Sequence, residues 1–211
     1  MRILVVFAHP KRDSFTGRIL DSFVAGLEQA GHVAEVADLY SEGFQPLLVP
    51  EDYAQWEDRP MPADVLREQA RVERSEGIAL VFPVWWWSMP AILKGWFDRV
   101  FCAGWAYSED YDPEGSLLPG RKFVLLCPAG SSEGHYSKYG YDEMFLRLFE
   151  VGTLSYCGVT ESEVHVLFEV YWDKELTESY IPRAHEIGRS AFANGAAPDA
   201  ADPRAPGSSP S

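Results

Sequence analysis

The hydrophobic positions of the chain fall into two alternating patterns. Five short apolar segments have the composition of strands covered on both faces, and they span residues 2–8, 32–38, 77–83, 122–128 and 163–170. Between them, apolar side chains recur at helical spacing, as in Ile19, Leu20, Phe23 and Leu27, in Ile92, Leu93, Trp96, Phe97 and Val100, and in Phe145, Leu148 and Phe149. This alternation predicts an α/β fold, with a doubly wound, five-stranded parallel sheet and helices on both faces.

Two stretches fall outside this pattern. Residues 39–62 contain Pro46, Pro50 and Pro60, so we expect this segment to lie outside the core, as a lid or a dimer arm. From residue 195 onward the chain is small and proline-rich, with too little apolar content to offset the entropy of ordering it. We therefore predict one domain over residues 1–194 and a disordered tail over residues 195–211.

The most informative segment is residues 78–101, in which a buried strand leads into three consecutive tryptophans and then into an amphipathic helix. Pro83 cannot donate to a sheet ladder, so strand pairing should stop there. Just beyond it lie Val84, Trp85, Trp86 and Trp87. Because ligands of open α/β sheets bind at the carboxyl ends of the strands, these large rigid rings predict a site for a planar tricyclic ligand such as a flavin.

The loop between the first strand and the first helix is a second candidate site. Ser14 or Asp13 can cap the helix, which leaves the following backbone N–H groups pointing at the loop's occupant, and a phosphate fits that position. Taken alone, the loop is more typical of an ordinary helix cap than of a phosphate site. His9 lies beside it and can donate to a phosphate oxygen. The candidate phosphate ligands are His9, Ser14, Phe15, Thr16 and Gly17.

The phosphate-binding fingerprints of two other classes are absent from the chain. Neither GxGxxG nor GxxxxGK[ST] follows the first strand. Their absence disfavours nicotinamide binding of the Rossmann type and an NTPase.

The segment after the fourth strand supplies a third loop at the same edge. Small side chains there let the backbone approach a ring closely, at Cys127, Pro128, Ala129 and Gly130. Tyr136 and Tyr141 carry hydroxyls that can donate to negative charge on a reduced flavin or a quinone oxygen. A polar surface loop is the alternative. Tyr107, in GWAY, is either core packing or the far wall of the pocket, and we favour the wall.

The composition limits the classes of binding partner and the cellular location that we expect. The formal net charge of −14 disfavours nucleic acid and anionic membrane, so we expect small molecules or proteins as partners. No apolar run is long enough to span a bilayer and no basic leader precedes the first strand, which predicts a soluble, cytoplasmic protein. Cys102, Cys127 and Cys157 lack CxxC spacing, so neither a disulfide framework nor a metal site is expected.

Several of these motifs together resemble a known family. AHP followed by SFTG, then FPVWWWSMPAILKGWFDRVF, then GWAY are similar in order and separation to the flavodoxin-like NAD(P)H:quinone oxidoreductases, which include DT-diaphorase, the modulators of drug activity and the ancillary subunits of potassium-efflux systems. The resemblance covers residues 1–193. It implies a flavodoxin-like sheet that binds FAD or FMN, with FAD favoured, in a homodimer whose active sites lie at the interface.

The resemblance also implies roles for individual residues. His9 and residues 14–17 would hold the flavin phosphate, residues 83–87 would line the flavin ring, and residues 127–130 would close its other side. Trp87, Tyr107 and Tyr136 would line the substrate pocket, with Tyr107 reaching the partner subunit's site. The implied reaction is a two-electron, ping-pong transfer of hydride from NAD(P)H through the flavin to a quinone. Tyr136 and Tyr141 are the candidate catalytic donors to the quinone or flavin oxygen.

The chain departs from the family at two places, and other functions stay open. CPAG stands where many relatives have TTGG, and Pro128 removes one backbone donor. The relay histidine of DT-diaphorase falls near Tyr141 or Asp142. An azo- or nitroreductase would need the same flavin and aromatic walls. A flavin-binding regulatory subunit of a membrane transporter and a one-electron carrier of the flavodoxin type are the remaining alternatives.

Overall fold

The sheet has the predicted doubly wound topology. The computed structural model describes residues 1–57, 59–108, 118 and 120–193. Five parallel strands pair in the order β2-β1-β3-β4-β5, and they are β1 (Arg2–Phe7), β2 (Val33–Asp38), β3 (Gly77–Val81), β4 (Lys122–Pro128) and β5 (Glu161–Leu167). The tail predicted at residues 195–211 lies outside the described residues.

The centre of the sheet is apolar on both faces. Leu4 and Val6 of β1 face one core layer, while Ile3, Val5 and Phe7 face the other. The strands β3 and β4 continue the same alternation, and every residue of β3 is buried. Burial on both faces is what the continuous apolar runs of the sequence predict for strands of a parallel sheet.

In the described part of the chain, six α-helices flank the sheet. They are α1 (Phe15–Gln29), α2 (Ala63–Glu73), α3 (Ala91–Val100), α4 (Glu133–Tyr139), α5 (Tyr141–Leu146) and α6 (Lys174–Ser190). Apolar side chains of α1 and α6 pack on one face of the sheet, and those of α2, α3 and α5 pack on the other. Within the described ranges, none of the helices combines the length and hydropathy that crossing a bilayer requires.

Helices α1 and α6 approach each other through glycine. A Cβ atom on Gly26 would clash with the carbonyl oxygen of His185, and one on Gly188 would clash with that of Phe23. Backbone therefore lies directly on backbone at this crossing, which only glycine allows.

The expectation that residues 39–62 lie outside the core is wrong. The segment contains a 3₁₀ helix, Pro50–Trp56, and its Leu39 and Phe44 are buried in the core. The fully buried carboxylate of Asp52 accepts hydrogen bonds of 2.9 and 3.0 Å from the Arg99 guanidinium of α3. The pairing spans 47 residues of sequence, so the local proline pattern could not reveal it.

The predicted helical stripe of Phe145, Leu148 and Phe149 is correct for the two phenylalanines only. Phe145 and Phe149 are buried, whereas Leu148 is exposed. The chain leaves α5 in a π-helical segment, Arg147–Leu154, in which the Thr153 hydroxyl donates to the carbonyl oxygen of Leu148 at 3.0 Å. A π-helical turn has a wider period than an α-helix, so side chains shift off the α-helical stripe.

Candidate active site

The first loop prepares a site for an anion at the N-terminus of α1. The Ser14 hydroxyl accepts from the backbone N–H of Gly17 at 3.2 Å. The N–H groups of Phe15 and Thr16 have no hydrogen-bond partner among the described residues. A side chain on Gly17 would clash with the carbonyl oxygen of Arg12, so glycine is required for the loop to fold back on the helix. Free N–H groups and the helix dipole together attract a phosphate.

His9 lies beside this loop with one ring nitrogen already engaged. Its Nδ1 is 3.0 Å from the backbone nitrogen of Lys11 and 2.9 Å from the carbonyl oxygen of the same residue. Its Nε2 has no partner among the described residues, and the ring lies 6.0 Å from that of Trp85. When Nδ1 accepts from Lys11, Nε2 carries the proton and can donate to an anion.

The three tryptophans form a tight reverse turn. The N–H of Trp85 donates to the Ser88 carbonyl at 3.0 Å, and that of Ser88 donates back at 3.1 Å. The central residues Trp86 and Trp87 have φ values of 52° and 55°. Positive φ at both central positions is the geometry of a type I′ turn, which Asn and Gly normally occupy. Two bulky residues held in this geometry store backbone strain, which proteins concentrate at functional sites.

The tryptophan turn and the third loop lie against each other. The N–H of Val84 donates to the carbonyl oxygen of Pro128 at 2.8 Å, and that of Ala129 donates to Leu167 at 2.8 Å. The N–H of Phe82 donates to the Leu126 carbonyl at 3.2 Å, so hydrogen bonds between the β3 and β4 segments lie on both sides of Pro83 and the expected stop at Pro83 is wrong. Cys127 is fully buried with its side chain in the core, and burial raises the pKa of its thiol.

The structure brings Trp87, Tyr136 and Tyr141 together. The ring of Tyr141 is 4.6 Å from that of Trp87 and 6.1 Å from that of Tyr136. Tyr136 is only 2% exposed, and burial raises its pKa to about 12. His135 also stacks on Trp87, at 6.5 Å. The third loop is expected over residues 127–145, and this is wrong from residue 133 onward, because residues 133–139 form α4 and α5 begins at residue 141, after Gly140.

Tyr107 lines a cavity next to the tryptophan turn. Its ring is 5.1 Å from that of Tyr156, and a cavity of about 290 Å³ has Tyr107, Ser88, Met89, Leu148 and Tyr156 in its wall. Ser88 follows Trp87 directly, so this cavity adjoins the aromatic cluster.

A fourth loop reaches the same edge, and the sequence patterns missed it. The N–H groups of Glu169 and Val170 donate to the carbonyls of Ser131 and Ala129 at 3.1 and 3.2 Å. The sequence does contain a signal for this loop, because Tyr171 and Trp172 follow an apolar strand just as the three tryptophans follow β3. The fifth strand is predicted to extend to residue 170, however, so the start of the loop is assigned to the strand.

Comparison with known proteins gives a consistent result. The family described as having a flavodoxin-like fold matches residues 1–187. Ribosyldihydronicotinamide dehydrogenase [quinone] of Pongo abelii is 30% identical over 177 residues, which cover 74% of this chain and 77% of the relative.

Solved structures agree with this relationship. The NAD(P)H:quinone oxidoreductase from Methanothermobacter marburgensis is 35% identical with a TM-score of 0.83, and the match covers 92% of this chain and 98% of that one. An FMN-dependent NADH-azoreductase from Bacillus anthracis, in complex with FMN, has a TM-score of 0.68 over 92% and 99% of the two chains. At 16% identity it shows the shared fold alone. The chain belongs to the flavodoxin-like NAD(P)H:quinone oxidoreductase family that its motifs predict.

Proposed function

We propose that this oxidoreductase is a flavin-dependent NAD(P)H:quinone oxidoreductase, with FAD as its cofactor. The observation that carries the proposal is the convergence of an unpaired helix N-terminus, a strained tryptophan turn and a glycine-containing loop at one edge of the sheet. The chemistry that a bound flavin supplies is two-electron, ping-pong transfer between NAD(P)H and a quinone.

The phosphate end of the cofactor is assigned to the first loop. The backbone N–H groups of Phe15 and Thr16 and the Nε2 of His9 are available donors, while Ser14 and Gly17 shape the turn. None of these groups carries a negative charge, and they lie at the positive end of the α1 dipole. This local set can hold an anion in a chain whose formal net charge is −14.

The ring of the cofactor is assigned to the space between residues 83–87 and residues 127–130. Trp85 and Trp87 supply rigid apolar surface for the ring. A ring bound between these side chains would be partly shielded from water, which would protect a hydride in transfer.

Tyr136 and Tyr141 are assigned as hydrogen-bond donors to the acceptor oxygen. A pKa of about 12 keeps Tyr136 protonated, and therefore a donor, across the physiological range. Tyr141 is more accessible than Tyr136 and packs on Trp87. Replacement of both by phenylalanine should slow quinone reduction, and unchanged hydride transfer in the double variant would remove them from this role.

We further propose a homodimer in which Tyr107 contributes to the acceptor pocket. The cavity beside Tyr107 and Tyr156 adjoins the tryptophan turn, and apolar and aromatic side chains line it together with Lys94 and Asp98. A quinone ring fits such a surface by stacking.

The experiment begins with the visible spectrum of the purified protein and the identity of the flavin released on denaturation. Under anaerobic conditions, NAD(P)H should bleach the flavin absorbance and a quinone should restore it. Gly17→Ala should weaken flavin binding, because its Cβ displaces the Arg12 carbonyl. Gly152→Ala meets no atom closer than 3.6 Å and is the control for flavin affinity, not for quinone turnover, because Gly152 lines the cavity beside Tyr107. A protein that binds neither FAD nor FMN would refute the proposal.

The same preparation separates the alternatives. An azo- or nitroreductase would turn over those acceptors faster than any quinone. A regulatory subunit would turn over every acceptor slowly and co-purify with a partner. A one-electron carrier would accumulate the neutral or anionic semiquinone spectrum during titration with dithionite.

A further inference from the structure

Reduction of a quinone consumes a proton as well as a hydride. The hydride carries two electrons and originates in NAD(P)H, which leaves as NAD(P)⁺. The proton must come from water or from the protein. A side chain that supplies it in every turnover is most effective when its pKa lies near the working pH.

Tyr136 and Asp142 do not meet this requirement. Burial raises the pKa of Tyr136 to about 12, so its hydroxyl can hold an acceptor oxygen but releases its proton poorly at neutral pH. The backbone N–H of Glu143 and the hydroxyl of Ser137 donate to the Asp142 carboxylate at 2.9 and 2.8 Å. Both hydrogen bonds lower the pKa of Asp142, so its carboxylate is ionised and has no proton to give.

His135 lies among the aromatic rings of the proposed acceptor pocket. Its ring is nearly parallel to that of Trp87, at an interplanar angle of 18° and a centroid distance of 6.5 Å. The ring of Tyr139 is 4.8 Å away and that of Tyr141 is 6.0 Å away. Within the described part of the chain, His135 is the one histidine whose ring packs against both Trp87 and Tyr141.

The imidazole of His135 is available to give a proton and to regain it. Neither ring nitrogen has a hydrogen-bond or ion-pair partner among the described residues. The backbone N–H is held by the cap of α4, where it donates to the Ser132 hydroxyl at 3.2 Å. The side chain is half-buried, so solvent can replace a proton that leaves the ring.

We propose that His135 is a catalytic residue that delivers the proton to the quinone oxygen, an inference that rests on the proposed function. An N–H bond of the imidazolium breaks and an O–H bond of the hydroquinone forms, while the hydride from NAD(P)H supplies the two electrons. The neutral imidazole then takes up a proton from water. Tyr136 and Tyr141 hold the acceptor, and no relay through residue 142 is needed.

Other titratable groups lie on the helices packed against this ring. They are Glu133, Tyr136, Lys138 and Tyr139 of α4 and Tyr141, Asp142 and Glu143 of α5. The tryptophan turn, which also packs against the ring, carries no titratable side chain. Replacement of His135 leaves all of these groups in place, so a change in the pH profile reports the imidazole.

The test uses His135→Phe and His135→Gln, with His185→Gln as the matched control. Phenylalanine keeps a flat ring against Trp87, and glutamine keeps hydrogen-bonding groups, but neither side chain titrates. His185 lies in α6 beside Glu186, outside the aromatic cluster. Flavin content and the rate of enzyme reduction by NAD(P)H should equal those of wild type in all three variants.

The first arm follows oxidation of the reduced holoenzyme by anaerobic stopped flow. Duroquinone is the quinone, and ferricyanide is the comparison because it accepts electrons without a proton. At pH 6, duroquinone should oxidise both His135 variants about tenfold or more slowly than wild type. The wild-type rate should fall from about pH 5 to pH 8, because a general acid must be protonated, and the variants should lose this dependence. Oxidation by ferricyanide should be unchanged.

The second arm needs no turnover. Proton NMR of the oxidised holoenzyme follows the ring C–H signal of His135, which is identified by its absence in His135→Phe. A quinone oxygen only accepts hydrogen bonds, so it favours the charged imidazolium. Bound duroquinone should therefore move the midpoint of the His135 titration to higher pH.

Three results would overturn the inference. They are a wild-type rate with duroquinone in His135→Phe, an equal slowing with ferricyanide, and an unmoved NMR midpoint. Any of these results with normal quinone turnover leaves the proposed function standing. A protein without quinone turnover refutes the proposed function, and the NMR midpoint then decides by itself whether His135 donates to a bound quinone.

Discussion

Replacement of Trp86 by asparagine should leave the protein as stable as the wild type or make it more stable. Trp86 has a φ of 52° in the turn that Trp85 and Ser88 close. A left-handed backbone costs a residue with a bulky Cβ substituent about 1–2 kcal/mol, whereas asparagine tolerates that region. The substitution therefore removes strain without removing either hydrogen bond of the turn.

The loss of burial is small. Trp86 is 89% exposed, so roughly a tenth of its surface is covered. At about 25 cal/mol per Å² and a side chain of up to about 250 Å², that contact contributes about 0.6 kcal/mol. Relief of strain outweighs it, and the free energy of unfolding should rise by about 0.5–1 kcal/mol.

The assay is urea unfolding of the flavin-free protein, because a bound ligand adds its own stabilisation. Trp96→Asn is the contrasting variant. Trp96 is fully buried on α3, and its truncation to a polar residue should cost at least about 3 kcal/mol. A fall of more than about 1 kcal/mol for Trp86→Asn would show that the turn is not strained. Flavin affinity of the same variant should fall, since an aromatic wall is lost.

Three further outcomes are expected. Arg99→Met leaves the Asp52 carboxylate buried without its partner, and urea unfolding should show a loss of about 3–5 kcal/mol; a loss below 1 kcal/mol would mean that water reaches the carboxylate. Because burial raises the pKa of Tyr136 from 10.0 to about 12, the folded state holds that proton more tightly, so stability should fall between pH 10 and 12. Tyr136→Phe should flatten this part of the pH profile, and an unchanged profile would contradict the assignment. Gly17→Ala should raise Kd for flavin at least tenfold relative to Gly152→Ala, as measured by fluorescence titration.

The sheet was predictable because its signals are local. The strands β1, β3 and β4 are buried on both faces of the sheet, so each is a continuous apolar run in the sequence. The observed ends of these three strands lie within two residues of the predicted ends. The cap at Ser14 was also predictable, since a serine before an apolar periodic run is a local signal as well.

The features that could not be predicted from the sequence depend on contacts between distant residues or on an unusual backbone conformation. The Asp52–Arg99 pair joins a proline-interrupted segment to α3, and no short-range pattern marks it. The π-helical segment moves Leu148 to the surface although its spacing is that of a buried stripe. Positive φ at Trp86 and Trp87 is equally invisible, because those residue types are rare in such turns.

The glycine contact between α1 and α6 has a consequence for residues that touch no ligand. Gly26 lies twelve residues after Ser14, about 18 Å along the helix axis at 1.5 Å per residue. A methyl group at Gly26 or Gly188 must push the two backbones apart, and rigid helices transmit that displacement to their first turns. The anion-binding loop before α1 and the aromatic turn before α6 would then move away from each other. Alanine at either remote position should therefore impair ligand binding at a distance, in a chain whose binding residues are all intact.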